Sequence, residues 1–463
     1  MKYTPSNVKS KHIAFLVAAT VALAFLSRFG VRLAFGEDDF WRNSYSIYYS
    51  LAQNIVSGKG FCFENTCAWE PPVYPLFLTI SVLSGNNYLC IVIPQALLGA
   101  GTALCAFLIG RHIFNTSVGI VACAIAACYP YYVMHDTALQ ETGMFTFATA
   151  LAIWLLLRAS EFKRNTDWFI AGMALGAIPL IRASGASVVA VGLLWCAGWG
   201  ASGNYLNRLR KSLVLLLAIA LITGPWLVRN YRLTGAPTFS SQTGSALWTG
   251  NNPQTFSHYP AESIDRSREK ASRTLSQIDR ANLQHLDENR RSIWFAQRAV
   301  TYIRQNPWLV VQGMIRKVEA AFSWRLNPFR EPLAQVAYSI AYVPIAIFGV
   351  VGLFLAGWRG EVILIGMLFI AFICVTAVFW AHTSHRSYLD IYLIVFAASL
   401  MQRSWTALSG AFKGPLSPWD WVKLRPPTVK KNSLSVEDVY DNQESRLPTA
   451  HTADYLRKSR PAF

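Results

Sequence analysis

The chain has 463 residues, 53% of them hydrophobic and only 14% charged, with a mean hydropathy of +0.29. That leaves too little polar surface for a soluble protein of this length, and long unbroken apolar runs exclude a membrane barrel, whose strands alternate. The net charge of +17 would suggest nucleic acid in a soluble protein; here Lys and Arg fall mainly in short loops and tails, so positive-inside bias accounts for it and no nucleic-acid partner is expected.

Along the chain, the first apolar run covers residues 13–35 and is long enough to span a bilayer. KYTPSNVKSKH precedes it and no small-residue cleavage site follows, so the span reads as retained. Arg28 and Arg32 near its end read as snorkelling to headgroups, with a clamp for a lipid phosphate as the alternative. Glu37, Asp38 and Asp39 sit where the span meets water. The following SYSIYYSLAQNIVSG reads as a helix along the interface, with Tyr45, Tyr48 and Tyr49 at headgroup depth. Cys62 and Cys67 share one loop, where an outer compartment permits a disulfide and the spacing leaves free thiols open.

Residues 73–83 follow a Pro-Pro step and are too short to cross cleanly. Further spans fall at 88–114, 118–134, 138–157, 168–182, 185–199, 213–228, 337–358, 362–381 and 388–401. The expected fold is therefore an all-α polytopic membrane protein of about ten spans. It divides into a transmembrane module at 1–229 with a first outer loop at 36–87, an outer segment at 230–336, C-terminal helices at 337–401 and a basic tail at 402–463. In the outer segment, residues 263–304 read as charged helix and 307–322 as an amphipathic one.

Basic residues fix the orientation. Lys2, Lys9, Lys11, Arg111, Arg158, Lys163, Arg164, Arg208, Arg210, Lys211, Arg359 and the chain from Arg403 onward fall on alternate span ends. Those ends, and both termini, are expected in the cytoplasm. The opposite ends then collect Asp38, Asp39, Glu70, His135, Asp136, Glu141, Arg182, Arg229, His382, His385 and Arg386 on one outer side. Glu141 lies within an expected span, where an acid normally faces a cavity or a partner. Arg182, Arg229 and Arg386 are candidates for holding a phosphate. His382 and His385 stand three apart and could ligate a divalent metal ion, though no Cys or carboxylate motif accompanies them. Asn115-Thr116-Ser117 matches a glycan acceptor pattern but falls on the cytoplasmic side. No phosphate-cradling Gly loop or Ser-His-Asp order appears, so nucleotide-driven chemistry is not expected.

Several motifs in order carry a resemblance: the acids after the first span, Y-x2-LA-x6-GKGF from Tyr49 to Phe61, EPPVYPLF at Glu70, TALQETGMF with Glu141, AGMALGAIPLIR ending at Arg182, and GPWLVRNYRLTG followed by TGNNP. The chain resembles the C-type membrane glycosyltransferases that use polyprenyl-phosphate-linked sugars. The branch it is most similar to holds the bacterial relatives of protein O-mannosyltransferases and the lipid A aminoarabinose transferase. The resemblance covers roughly residues 15–252. It implies an inverting transferase on the outer (periplasmic) face of a bacterial inner membrane. A sugar would pass from a polyprenyl-phosphate donor to a lipid, glycan or protein acceptor. It implies Asp39 or Asp38 as general base, Glu141 as a second active-site acid, and Arg182, Arg386, Glu70, Tyr49 and Arg229 as substrate contacts. Two departures stand out. Relatives place the Asp closer to the interfacial helix, and the aminoarabinose branch has a Lys where this chain has Glu70. The rival readings are a transporter or lipid-sugar flippase, with Glu141 and Arg182 lining a path, and a scaffold without catalysis.

The topology generates one test. Reporter fusions after Gly250 are expected to report the outer side and fusions after Arg403 the inner side. The reverse at both positions would invert the arrangement.

Overall fold

The computed structural model describes residues 5–42, 45–64 and 66–411. The expected tail beyond residue 411 lies outside the described residues. The fold is all-α, with no strand among the described residues. Its helices are α1 (Pro5–Arg42), α2 (Ser46–Val56), α3 (Val73–Leu83), α4 (Leu89–Ile113), α5 (Thr116–Cys128), α6 (Pro130–Asp136), α7 (Thr142–Phe162), α8 (Asn165–Ile181), α9 (Ala186–Trp195), α10 (Tyr205–Thr234), α11 (Thr243–Gly250), α12 (Ile264–Arg273), α13 (Gln277–His285), α14 (Glu288–Gln305), α15 (Pro307–Ala321), α16 (Pro332–Leu355), α17 (Gly360–Val378) and α18 (Thr383–Ala411).

Eight helical stretches among the described residues are long and apolar enough to cross a bilayer, or nine if the bent pair α5–α6 counts as one span. α8, with 17 residues, is at the short limit for a span, and counting it brings the number to the expected ten. The expected charged helix at 263–304 is three helices. Ser263, Ser276 and Asp287 each accept a backbone N–H at an N-terminus and so divide the segment.

Side-chain contacts sort the loops into two ends of the bundle. At one end, Asn115 donates to Gln402 (2.9 Å), Ser160 to the Gly200 carbonyl (2.6 Å), Trp195 to the Gly360 carbonyl (2.7 Å) and Lys211 to the Lys163 carbonyl (2.7 Å). At the other, Arg182 meets Glu141, Gln242 meets Glu70, Arg229 meets the Cys67 carbonyl and His382 meets Asn327. The two sets follow the alternation of the basic loops.

Two local events shape the second end. Gly36 has φ 75°, which only glycine adopts without strain, and it bends α1 so that Glu37–Arg42 leave the span axis. The other event is the break at Tyr129. Pro130 has no N–H and starts α6 as its N1 residue, so α5 ends and the pair bends by 54°. Carbonyls at the end of α5 lose their helical donors. Arg28 supplies new ones: Nη1 donates to Ala127 O (2.9 Å) and Nη2 to Ala126 O (3.4 Å), while Nε donates to Asp136 (2.7 Å). The Arg28 guanidinium is 0% exposed, so neither the snorkelling nor the phosphate-clamp reading fits it. Gly99 makes room; a Cβ there would lie 2.2 Å from Arg28 Nε and 2.3 Å from Asp136 Oδ2.

Arg28→Ala is expected to lower stability by about 3–5 kcal/mol, because it strands the buried Asp136 carboxylate. Thermal melting of the detergent-solubilised protein measures it. Arg28→Met with Asp136→Leu is expected to recover part of the loss, the remainder being the uncapped carbonyls of Ala126 and Ala127.

Candidate active site

The segment from Asp136 to Glu141 is held from three sides. Gln95 donates to the Asp136 and Ala138 carbonyls (3.0 and 2.9 Å) and is itself fixed by the Tyr74 hydroxyl (2.8 Å). Arg32 donates to the Thr137 carbonyl (3.3 Å) and to Asp39 (2.8 Å). The Leu139 carbonyl accepts from Tyr45 N (3.3 Å). Asp39, beyond the Gly36 bend, is thereby tied to the segment that leads to Glu141. Asp38 is exposed on the other side of that short turn.

Glu141 precedes α7 and pairs with Arg182, which follows α8. Arg182 Nε donates to Glu141 Oε1 (2.9 Å), its Nη2 lies 2.8 Å from the same oxygen, and Nη2 also donates to Thr142 Oγ1 (2.9 Å). The guanidinium lies over the Phe145 ring at 4.8 Å. Both side chains of the pair are little exposed, 12% for Arg182 and 13% for Glu141.

Glu70, in the first loop, lies near enough to this pair to feel both charges, and a chain of contacts sets its place. Cys62 and Cys67 are disulfide-bonded. Arg229 donates to the Phe61 and Cys67 carbonyls (3.2 and 2.9 Å) and lies over the Trp226 ring. Glu288, in the first turn of α14, accepts from Cys67 N and Ala68 N (2.9 and 3.1 Å). Ser240 and Gln242 both donate to the Trp69 carbonyl (2.6 and 3.1 Å), and Gln242 donates onward to Glu70 Oε1 (2.6 Å). Partial burial, and next the charge of Glu141, push the Glu70 carboxyl up to about 8; Arg182 and hydrogen bonds from Gln242 and Tyr48 oppose the shift.

The remaining candidates lie as follows. Tyr49 donates to Asn86 (2.9 Å) and packs edge-on against Trp41, so it ties α2 to the end of α3. Arg229 grips the disulfide loop. Arg386 is 0% exposed and fully engaged by Asp390 (2.9 and 3.2 Å), the Tyr338 hydroxyl (3.1 Å) and the Ala321 carbonyl (3.2 Å). His382 Nδ1 lies 2.9 Å from Asn327 Oδ1, and His385 Nδ1 accepts from His382 N (3.1 Å). Burial lowers His382 to about 4. Among the described residues no group of three or more His, Cys, Asp or Glu is arranged to hold a metal ion.

Sequence reasoning missed Gln242, Tyr48 as a partner of Glu70, and Glu288. A lone amide in a loop carries no periodic signal. The Arg386–Asp390 pair was readable, since an i, i+4 spacing places opposite charges side by side on a helix. His135 also gains a place: it is buried beside Tyr131, its Nδ1 meets Gln140, and its Nε2 has no hydrogen-bond partner.

Residues 69–228 match the family model described as dolichyl-phosphate-mannose-protein mannosyltransferase. The putative mannosyltransferase YkcB of Bacillus subtilis (strain 168) is 31% identical over 103 residues, 22% of this chain and 14% of that protein. The dolichyl-diphosphooligosaccharide–protein glycosyltransferase subunit STT3B of Oryza sativa subsp. japonica is 26% identical over 162 residues, 34% of this chain and 22% of that one. Among solved structures, the archaeal oligosaccharyltransferase AglB from Archaeoglobus fulgidus, in complex with an inhibitory peptide and a dolichol-phosphate, aligns with a TM-score of 0.52 at 13% identity. That alignment covers 90% of this chain and 54% of AglB, so the chain spans about half the length of that enzyme. The fold is that of the C-type membrane glycosyltransferases, as the motifs imply.

Glu70 generates a stability prediction. A carboxyl raised from 4.5 to about 8 keeps its proton in the fold and loses it on unfolding. Its contribution is full below about pH 4.5 and is lost as pH rises through about 8. Melting of the wild type in detergent is expected to fall across that window, and Glu70→Gln to flatten the fall.

Proposed function

We propose that the protein is a glycosyltransferase that moves a sugar from a polyprenyl-phosphate donor to an acceptor hydroxyl at the outer face of the membrane. The observation that carries this reading is the Glu141–Arg182 pair, with Glu70 near enough to feel both charges, at the end of the bundle where the α1 bend sets Asp39. The family match and the C-type fold support it. The acceptor is a lipid, glycan or protein, and the membrane is a bacterial plasma membrane with this end facing the periplasm.

The chemistry follows from the leaving group. Polyprenyl phosphate departs without nucleotide activation, so what is required is a base for the acceptor and positive charge for the phosphate. Asp39 takes the acceptor proton as the acceptor oxygen bonds to the anomeric carbon. The bond from that carbon to the phosphate oxygen breaks on the opposite side, and the configuration inverts. Arg182, preset by Glu141 and Thr142, faces the developing phosphate charge. Asp39 is preferred to Asp38 because Arg32 holds it while also bonding the Thr137 carbonyl, on the segment that leads to Glu141. No step is assigned to a metal ion.

A second reading of the base has its own observation. Glu70 lies near enough to both Glu141 and Arg182 to feel their charges. The two readings separate with purified protein in nanodiscs and radiolabelled mannosyl polyprenyl phosphate. Asp39→Asn is expected to cost about 10²–10⁴ in turnover, with donor binding kept. If instead Glu70→Gln carries the loss, and the wild-type rate climbs with pH through about 8, Glu70 is the base. Absence of donor turnover with lipid-linked sugars, alongside lipid-sugar transport in vesicles, would favour the flippase.

A further inference from the structure

The first turn of α18 fixes the state of one imidazole. His385 is the third residue of that helix, and its Nδ1 accepts from the backbone N–H of His382 just before the helix (3.1 Å). This is the return contact of a capping box, made here by a histidine. A ring nitrogen that accepts carries no proton, so the neutral imidazole holds its proton on Nε2. The ring stands edge-on to Trp380 at 5.2 Å, and the residue keeps part of its surface open.

The end of α6 fixes a second imidazole in the same way. Gln140 turns one end of its amide to His135 Nδ1 and to the His135 carbonyl oxygen (3.5 Å). A carbonyl oxygen only accepts, so that end is the NH2 group and Nδ1 accepts as well. The proton of His135 is therefore also on Nε2. That donor is buried and has no hydrogen-bond partner among the described residues. One turn earlier on the same face, the Tyr131 hydroxyl is buried and equally without a partner, its ring 4.5 Å from that of His135. Buried donors of this kind are rare in a finished fold and mark a place where a further acceptor belongs.

Both rings stand near one cation. The charge of Arg182 reaches His135 and His385, and the two histidines feel each other. Arg330 and Arg386 add to the field at His135. Two N–H donors in a field of arginines suit an oxyanion, which offers only lone pairs and carries the opposite charge. A hydroxyl suits them less, because neither ring has a lone pair left to take its proton.

We propose that His135 and His385 are two further catalytic residues, each donating from Nε2–H to an oxygen of the phosphate that leaves the sugar, beside Arg182. The proposal rests on the donor class proposed above. As the bond from the anomeric carbon to the phosphate oxygen breaks, its electron pair stays on that oxygen, and the two hydrogen bonds strengthen with the growing charge. Neither imidazole gives up its proton, because the phosphate departs as the anion.

The test uses the full chain in nanodiscs and the same radiolabelled mannosyl polyprenyl phosphate. The amide nitrogen of a glutamine falls close to the Nε2 of an imidazole, so Gln keeps the donor and Phe removes it. His135→Phe and His385→Phe are each expected to lower kcat about 10²–10³-fold, the effect of losing one oxyanion donor. His385→Gln is expected to recover most of that loss. Equal losses in the Gln and Phe forms, or unchanged turnover in the Phe forms, overturn the assignment. Nitrogen NMR of wild-type protein with labelled histidine gives a readout that needs no variant to fold. Two rings are expected to show a protonated Nε2 and a bare Nδ1, and both Nε2 signals to move when polyprenyl phosphate is added. Inorganic phosphate at the same concentration is expected to leave them in place; a response to it alone makes the pair a site for the free ion and overturns the assignment. Donor turnover with unmoved rings overturns the histidines' role and leaves the transferase reading standing. If the wild type neither consumes the donor nor responds to polyprenyl phosphate, the donor class falls and this inference with it.

Discussion

The ion pair between Arg28 and Asp136 is the contact on which this site is built. A charge inside a membrane bundle is tolerated only when every polar atom around it is matched. Arg28 meets that condition by answering two demands at once. It neutralises Asp136, and it caps the carbonyls of Ala126 and Ala127, left open by Pro130. The first span is thereby locked to the bend between α5 and α6. Gly99 and Gly143 both leave space that a side chain would fill with a clash against the pair. From this lock hang Asp39, through Arg32 and Thr137, and Glu141, five residues beyond Asp136.

A second clasp works from the opposite direction. The outer segment after α10 reaches back over the first loop with Ser240, Gln242 and Glu288, and Arg229 grips the disulfide-closed turn. These contacts bring Glu70 to Glu141 across a long stretch of chain. Gln242 matters most, because it bonds both the Trp69 carbonyl and the Glu70 carboxyl and so fixes the acid's direction. The negative charge that Glu70 would add beside Glu141 is avoided by holding its proton.

The arginines divide by what surrounds them. Arg386 and Arg182 look alike in sequence, each at a span end. Arg386 is closed in by Asp390, Tyr338 and the ring of Tyr342 at 3.8 Å, which leaves no face for a substrate. Arg182 keeps part of its surface open beside His135 and Glu70. Among the candidates, the geometry thus supports Arg182 as the cation of the site and Arg386 as a brace between α16 and α18.

Hydropathy and basic-loop alternation were enough to establish an all-α membrane bundle, most span positions, and the gathering of acids and histidines at one end. Those signals are one-dimensional: an apolar run must be buried in lipid wherever it falls, and Lys or Arg resist crossing whatever the fold. The motifs around Glu70, Glu141 and Arg182 pointed to the candidate site only through the family resemblance. Pairing across long stretches of chain was beyond the reach of the sequence. Arg28 finds Asp136 at a separation of 108 residues, and Glu70 finds Gln242 at 172. A buried charge is settled by whichever partner packing brings within about 3 Å, and no local pattern encodes that. The Gly36 bend, the division of the outer helices at their caps and the closed state of Arg386 likewise belong to the tertiary structure, because each depends on what surrounds the residue in space.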